Sequence, residues 1–375
     1  MTELQRFKAV VRFERPDYWP LYTLGGLGYI HGGGLVNLHR QGLPAEVNDV
    51  EAWCRFFGQA TFDHLAGIGA DCPGVKTETW REGGFEFVRS ETGALTRQVI
   101  DNDLAYSMPD FIEFDVRDRA SWEKYKELTT PRRKDLALLE DWKKRFAHRK
   151  RPLMVWGGGT WGWARQLMGP ERALLAVYDD PALLQDMIDH FLWVMEEFTF
   201  PVLEALRPEA ILGWEDFAYN HGMLISPAAF RKFCANYYHR VAEVAWDCGA
   251  ELLIVDCDGK VDEFCPLLEE VGWNGNWPLE QVCGNPILDY RRRQSDFVFG
   301  GGIEKEIVNV GSSPERIERE LVPRIPEMLE QGGFMPMFDH ALQVDVSYEN
   351  LCRCFTRLHE ICGSPEDLGA FPRIY

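Results

Sequence analysis

The second half of the chain alternates short apolar runs with longer segments that carry helix signals. The apolar runs read "PLMVWGGG", "PEAILGWEDF", "AELLIVDCDG", "GWNGNWPLE", "FVFGGGIE" and "FMPMFDHA". One segment between them begins at Ser226, a good helix cap, continues with Pro227 and stops at Gly249. Alternation of this kind is typical of βα units around a parallel sheet.

The first part of the chain, residues 1–125, lacks this rhythm. The stretch "TETWREGGFEFVRSETGALTRQVIDN" has turn residues at Gly83-Gly84 and Gly93 and predicts a small β-meander. Two further strands are predicted, in "WPLYTL" and within residues 60–70. They bring the parallel set to about eight strands.

The pattern therefore predicts an α/β fold, a (β/α)8 TIM barrel with an N-terminal extension that contains the meander. Residues 1–375 would form one domain, with the extension and the first barrel elements in 1–125 and the main βα units in 126–375. An open, doubly wound sheet is the alternative.

The net charge of the chain limits the classes of molecule that it can bind. The chain has 59 acidic and 40 basic residues and a formal net charge of −19. A protein this acidic is a poor general binder of nucleic acid or of an anionic membrane, because both are polyanions. A polyanionic substrate would also need a local basic pocket.

Cysteine usage and the N-terminal residues bear on location. Ten cysteines are scattered without a CxxC pair, which favours free thiols in a reducing compartment. The N-terminal stretch "MTELQRFKAVVRFERPDYWP" contains no apolar run of the length that a signal peptide or membrane span needs. We therefore expect a soluble, cytoplasmic protein.

Acidic residues recur where the predicted strands end, and in a TIM barrel the strand ends form the active-site mouth. Five consecutive strand ends carry at least one acid, and the last adds a histidine. These ends are Trp214-Glu215-Asp216, Asp256-Cys257-Asp258, Trp277-Pro278-Leu279-Glu280, Gly301-Gly302-Ile303-Glu304 and Asp339-His340. The repetition predicts a site at the mouth, although no single residue in it is specific.

Candidate roles follow from residue type. Acids can orient a substrate or exchange protons, and a histidine with carboxylates is a usual catalytic Zn²⁺ set. Tryptophans at strand ends can wall an apolar pocket. The candidates are Glu215, Asp216, Asp256 and Glu280 for catalysis, Asp258, Glu304 and His340 for a divalent metal, and Trp156, Trp214, Trp277 and His221 for the substrate.

Each candidate also has a structural alternative. Asp256 and Asp258 could cap the following helix, since strand-end aspartates often do. Glu215, Asp216 or Glu304 could pair with a neighbouring base, an interaction of small energetic value at a surface. His340 and the tryptophans could be packed core residues.

Several blocks of the sequence resemble the uroporphyrinogen decarboxylase superfamily over nearly the whole chain. They are "FERPDYWPLY", "RQGLP", "GWEDFAYNHGMLISPAAFRKFCANYYHRV", "DCDGKVDEFCPLLEEVGWNGNWPLE", "GGIEKEIV" and "GGFMPMFDHALQVDVSYENL". The resemblance implies a (β/α)8 barrel with its pocket at the carboxyl-terminal mouth. The true decarboxylases carry an Arg-Gln-Ala-Gly-Arg motif near the N-terminus, whereas this chain has no arginine between Arg15 and Arg40.

The cobamide-dependent methyltransferases form the other branch. The coenzyme M type binds zinc through a His-x-Cys pair and a later Cys, whereas this chain has Asp256 and Asp258 at the pair and Asp339-His340 later. Members thought to demethylate methoxylated aromatics resemble the chain better, because Glu304 and His340 match their acid and histidine. The middle acid of that pattern is not cleanly placed near Arg319.

The resemblance thus implies a methyltransferase that removes a methyl group from a methoxylated, or otherwise methylated, small molecule with the help of zinc or another divalent metal. No Asp-x-His-x-x-Gly motif occurs, so the corrinoid that accepts the methyl group would come on a partner protein. A homodimer is compatible with these predictions. The alternatives are a decarboxylase of a carboxylated tetrapyrrole or other acid, and a ligand-binding barrel without chemistry.

Overall fold

Helices and short strands alternate along the computed structural model, which describes residues 1–23, 30, 32–65, 70–100, 109–134 and 136–375. The N-terminal elements are α1 (Glu3–Val11), α2 (Gly32–Arg40), α3 (Val50–Phe57), β1 (Asp63–Leu65), β2 (Ala70–Asp71), β3 (Thr77–Glu82), β4 (Phe85–Ser90), β5 (Leu95–Val99), β6 (Asp110–Glu113), α4 (Arg119–Thr129), β7 (Arg133–Lys134) and α5 (Leu136–Phe146).

The remaining elements follow the βα rhythm of the apolar pattern. They are β8 (Leu153–Trp156), α6 (Trp161–Met168), α7 (Pro170–Asp179), α8 (Pro181–Val194), a π-helical turn (Met195–Thr199), α9 (Phe200–Leu206), β9 (Ala210–Glu215), β10 (Ala218–Tyr219), β11 (Gly222–Met223), α10 (Pro227–Phe233), α11 (Ala235–Asp247), β12 (Leu252–Cys257), α12 (Phe264–Glu270), β13 (Gly275–Trp277), a 3₁₀ turn (Gln281–Cys283), α13 (Ile287–Arg293), β14 (Val298–Ile303), a second 3₁₀ turn (Lys305–Val308), α14 (Pro314–Leu321), α15 (Ile325–Gln331), β15 (Phe334–Phe338) and α16 (Tyr348–Cys362).

Seven parallel strands form one curled sheet in the order β1-β8-β9-β12-β13-β14-β15. The fold is thus TIM-like, but the described residues do not contain a closed ring of eight strands. Within residues 19–23, the described part of the strand predicted in "WPLYTL", one parallel bridge forms, between Tyr22 and Ala60. The Tyr22 amide also donates to the Pro336 carbonyl on β15, at 3.0 Å. This short segment therefore lies between the two edges of the sheet, β15 and the residues just before β1, without forming a strand.

The predicted meander is confirmed as an antiparallel sheet in the order β3-β4-β5-β6. Its first turn is Gly83-Gly84, where both glycines have positive φ. The segment "SPERIERELVPRIPEMLEQGG" forms two helices, α14 and α15, because Pro323 has no N–H for a helical hydrogen bond and disfavours helix before it.

The side chains of the curled sheet alternate between two apolar clusters, as the period of a strand requires. On β12, Leu252 and Ile254 belong to the cluster inside the curl, together with Phe7 and Val10 of α1. Leu253 and Val255 belong to the cluster between sheet and helices. The alternation decides which strand-end residues can reach the inside of the mouth.

The helices of the described residues are too short or too polar to cross a membrane.

Candidate active site

Asp256 lies on the inner face of β12, because it follows Leu252 and Ile254 at the strand period of two. Its register partners are Trp214 on β9 and Trp277 on β13. Partners in a parallel sheet project to the same face, so the three side chains form a row across the inside of the mouth. We call them the inner row.

Asp256 is a buried residue whose carboxyl group has no hydrogen-bonding partner among the described residues. The residue is 7% exposed, and within the described part of the chain no hydrogen bond or ion pair reaches its carboxyl group. Burial, followed by the charges of Asp258, Asp216 and Glu280, raises its pKa well above the ordinary value. Asp256 therefore favours its protonated form.

Two of the neighbouring acids are paired with bases. Asp216 accepts a hydrogen bond from Arg165 of α6. Burial nevertheless raises the pKa of Asp216 to about 6, with a further contribution from nearby acids. Glu280 lies 3.8 Å from the Lys305 ammonium and accepts a hydrogen bond of 2.9 Å from a backbone amide. Asp216 and Glu280 thus have cationic partners that Asp256 lacks.

Asp258 and His340 are brought together from β12 and β15. The His340 Nε2 and Asp258 Oδ2 atoms are 3.7 Å apart. The contact with Asp258 raises the pKa of His340, although burial acts in the opposite direction. The structure therefore places Asp216, Asp256, Asp258 and Glu280, which we call the acidic cluster, beside His340, and all five were predicted from the sequence.

The predicted tryptophans also lie at the mouth. Trp156 and Trp214 are half-buried, and Trp277 is buried in the inner cluster. The Trp277 indole N–H is buried and has no acceptor within the described residues. Trp214 contacts Trp163 of α6 edge to face, with ring centroids 5.9 Å apart. Trp277 and Trp156 thus pack in or against the inner cluster, whereas the role of the tryptophans in binding a substrate stays a prediction.

Glu215 faces away from the inner row. It is fully buried on the helix side of β9, where it accepts hydrogen bonds from the Thr160 amide and hydroxyl, the Gly162 amide (2.5 Å) and the Tyr238 hydroxyl (2.7 Å). Burial raises its pKa to about 7 even though these donors favour the carboxylate. Its geometry favours a structural role in which it anchors the start of α6 to β9.

The predicted metal ligands do not assemble as a set of three. Glu304 accepts a hydrogen bond of 2.5 Å from Arg316 of α14, whereas Asp258 and His340 contact each other. No three histidine, cysteine or acidic side chains of the described residues are placed to hold a metal ion. The residues do not fit the predicted zinc site in this arrangement, and we derive no chemical step from a metal.

His221 lies at the tip of the β10-β11 hairpin and is exposed. Its ring contacts Tyr219 edge to face, with centroids 5.6 Å apart. No contact with the acidic cluster is found among the described residues, so its proposed role in binding substrate has no support from its position.

The sequence-based list missed three polar residues of the mouth. Arg165 lies in the second turn of α6 and Lys305 directly after Glu304, so neither stands at the recurrent acidic position. Asp339 was noted at its strand end but received no role. It is buried and accepts from the amides of Gln281 and Lys305, at 2.8 and 2.9 Å. Burial raises its pKa to about 6, and the residue joins the loops after β13 and β14.

The fold recurs in a solved methyltransferase from Methanosarcina mazei. The two chains share 13% sequence identity with a TM-score of 0.56, and the match covers 94% of this chain and 96% of the other. At this identity the likeness shows a common fold, and the chemistry has to be argued from the site. No protein-family model matches the sequence, and no curated protein matches it significantly.

Proposed function

We propose that this chain is a methyltransferase that removes the methyl group of a neutral, methoxylated aromatic compound and passes it to a corrinoid protein. One observation carries the proposal. Asp256 and Trp277 are register neighbours at buried positions, and within the described residues neither the Asp256 carboxyl group nor the Trp277 indole N–H has a hydrogen-bonding partner.

Two unpaired polar groups side by side indicate what the substrate offers. Leaving a buried donor unsatisfied costs roughly 1–3 kcal/mol, so a ligand that accepts from it gains that energy. A protonated Asp256 donates through its O–H, and Trp277 donates through its N–H. One ether oxygen with two lone pairs can accept both hydrogen bonds. The rings of Trp156 and Trp214 would pack against the aromatic part of the substrate.

The residues of the mouth then act on the leaving oxygen. As the methyl carbon–oxygen bond breaks, its electron pair stays on the oxygen, and Asp256 transfers its proton to that atom. The products on this side are a phenol and the Asp256 carboxylate, which regains a proton because its pKa is raised. The methyl carbon bonds to the electron pair of the acceptor, for which the reduced cobalt of a corrinoid protein is the proposed source.

The acidic surroundings favour a neutral substrate over a carboxylated one. The basic side chains that contact the acidic cluster are each paired with one of its acids: Arg165 lies against Asp216, Lys305 against Glu280 and His340 against Asp258. A substrate carboxylate placed at the inner row would meet further acids. The decarboxylase alternative therefore gains no support from the mouth, and zinc stays a prediction that this mechanism does not use.

The proposal is tested by incubating the purified protein with free cob(I)alamin, as a stand-in for the corrinoid protein, and a panel of neutral methoxybenzenes that includes 2-methoxyphenol. We expect loss of the Co(I) absorbance together with formation of the corresponding phenol. Absence of transfer from the whole panel would contradict the proposal. Release of carbon dioxide from uroporphyrinogen, assayed in parallel, would replace it by the decarboxylase alternative.

A further inference from the structure

A side cavity of about 480 Å³ lies at the end of β8, beside α8, and shares Trp156 with the inner cluster. Its walls include Trp156, Trp163, His190, Val194, Met195 and Tyr237. We propose that this cavity binds an uncharged aromatic compound. The inference goes beyond the proposed function, because it requires binding alone and no methyl transfer.

The described residues that line the side cavity have uncharged side chains. None of the described residues around it is Asp, Glu, Lys or Arg, although these types make up 26% of the chain. The titratable imidazole of His190 has a pKa lowered by burial and by the nearby Lys126. A charged ligand would lose its hydration here without a counter-charge, which is costly. The cavity therefore selects against ions of either sign.

The size and the lining of the side cavity suit an aromatic ring. Small-molecule sites typically measure about 300–1,000 Å³ and are lined by apolar and aromatic side chains. The Tyr237 hydroxyl donates to the Gly157 carbonyl at 2.8 Å, which fixes its ring. At Gly158 a Cβ atom would collide with that hydroxyl, and φ is +71°. Glycine there lets the backbone itself form part of the wall.

The helix beside the side cavity is irregular at this place. Between α8 and α9 the chain forms the π-helical turn Met195–Thr199, and both of these residues line the cavity. Such turns are frequent at functional sites, and methionine adapts its shape to a bound ring. A hydrogen bond of 3.3 Å between Thr130 Oγ1 and His190 Nε2 is a polar feature of the wall that a hydroxyl-bearing ligand could join.

A larger surface cavity, of about 660 Å³, lies along α7. It is lined by Arg117, Asp118, Glu171 and Arg172 among others. Its mixed charges contrast with the side cavity, so the uncharged lining is not a general property of concave surfaces in this chain.

The test measures binding of 2-naphthol and of its anionic counterpart 2-naphthoate by equilibrium dialysis with the full chain. Two variants narrow the side cavity from different helices, Val194→Phe on α8 and Leu138→Phe on α5. The matched control is Val310→Phe, at a valine that is 69% exposed. Far-ultraviolet circular dichroism shows whether each variant is folded. If Val194→Phe does not fold, the binding result for Leu138→Phe decides the test.

We expect saturable binding of 2-naphthol at the side cavity and at least about ten-fold weaker binding of 2-naphthoate. The narrowing variants should weaken 2-naphthol binding about ten-fold, and Val310→Phe should leave it unchanged. The proposal is overturned if 2-naphthol does not bind saturably or if the anion binds as tightly. It is also overturned if both folded narrowing variants bind as the unaltered chain does, because the probe then lies elsewhere. These results do not depend on whether methyl transfer occurs.

Discussion

Replacing Asp256 by Asn should change how stability depends on pH. Burial and three neighbouring acids raise the pKa of Asp256 well above its value in the unfolded chain. Above about pH 4, the unfolded chain releases this proton while the folded chain keeps it. Stability then falls as pH rises, until the pH passes the pKa of the folded state. Asn has a similar shape and does not titrate, so the stability of the variant does not fall with pH for this reason.

The size of the effect follows from linkage. While the folded carboxyl keeps a proton that the unfolded one has lost, each pH unit costs about 1.4 kcal/mol. Over the two units from about pH 5 to about pH 7, Asp256→Asn should gain up to about 3 kcal/mol relative to the unaltered chain. Asp256 is 7% exposed, so solvent screens little of this difference. Total stabilities of about 5–15 kcal/mol make such a gain measurable.

The assay is urea unfolding followed by tryptophan fluorescence at a series of pH values. The quantity of interest is the free energy of unfolding of Asp256→Asn minus that of the unaltered chain. Asp367→Asn, at an exposed aspartate, serves as the control and should show a difference that is flat with pH. A flat difference for Asp256→Asn, or one that is larger at low pH, would refute the assignment of a protonated buried acid.

Three further changes test other contacts. Glu304→Gln removes the carboxylate that accepts a hydrogen bond from Arg316 and should lower the free energy of unfolding by about 1 kcal/mol. Because the mechanism gives Glu304 no role, methyl transfer by this variant should stay within about two-fold of the unaltered chain. Loss of activity would restore Glu304 as a metal ligand. Asp258→Asn should lower the pKa of His340. In the unaltered chain, the charged pair of His340 and Asp258 stabilises the fold fully below about pH 6.5, and less as pH rises through the pKa of His340. If the imidazole signals of the variant titrate by NMR as those of the unaltered chain do, this contact is contradicted. Gly158→Ala should cost at least about 2 kcal/mol in urea unfolding, because φ is positive and the new methyl group meets a buried phenol oxygen; an unchanged midpoint would show that the loop can relax.

Most elements of the fold could be predicted from the sequence because their patterns are local. A continuous apolar run such as Leu252–Val255 suits a strand that is buried on both faces. Residues 19–23, the described part of the segment predicted as a strand, did not form one, because among them three residues, Leu21–Thr23, share backbone hydrogen bonds with the neighbouring segments. Whether the sheet closes there depends on how far the whole sheet curls, and no local pattern reports that.

The position of the candidate site could be predicted from the sequence, whereas the roles of several of its residues could not. Parallel strands end at one edge, so Asp216, Asp256 and Asp258 had to approach each other. Adjacent residues of a strand face opposite sides, however, and this alternation sends Glu215 to the helix layer. The pairing of Glu304 with a base twelve positions along the chain is a tertiary contact that sequence spacing does not reveal.

The central claim is that Asp256 delivers a proton to the leaving oxygen, and leaving-group dependence tests it most directly. Single-turnover methyl transfer to cob(I)alamin would be compared for Asp256→Asn and the unaltered chain, with methoxybenzene and with 4-nitromethoxybenzene as donors. The nitrophenolate leaves readily without a proton, whereas the phenolate of methoxybenzene does not. We predict that Asp256→Asn loses about 100-fold or more on methoxybenzene and only a few-fold on the nitro compound. Equal losses on the two donors, or no loss on either, would contradict the account.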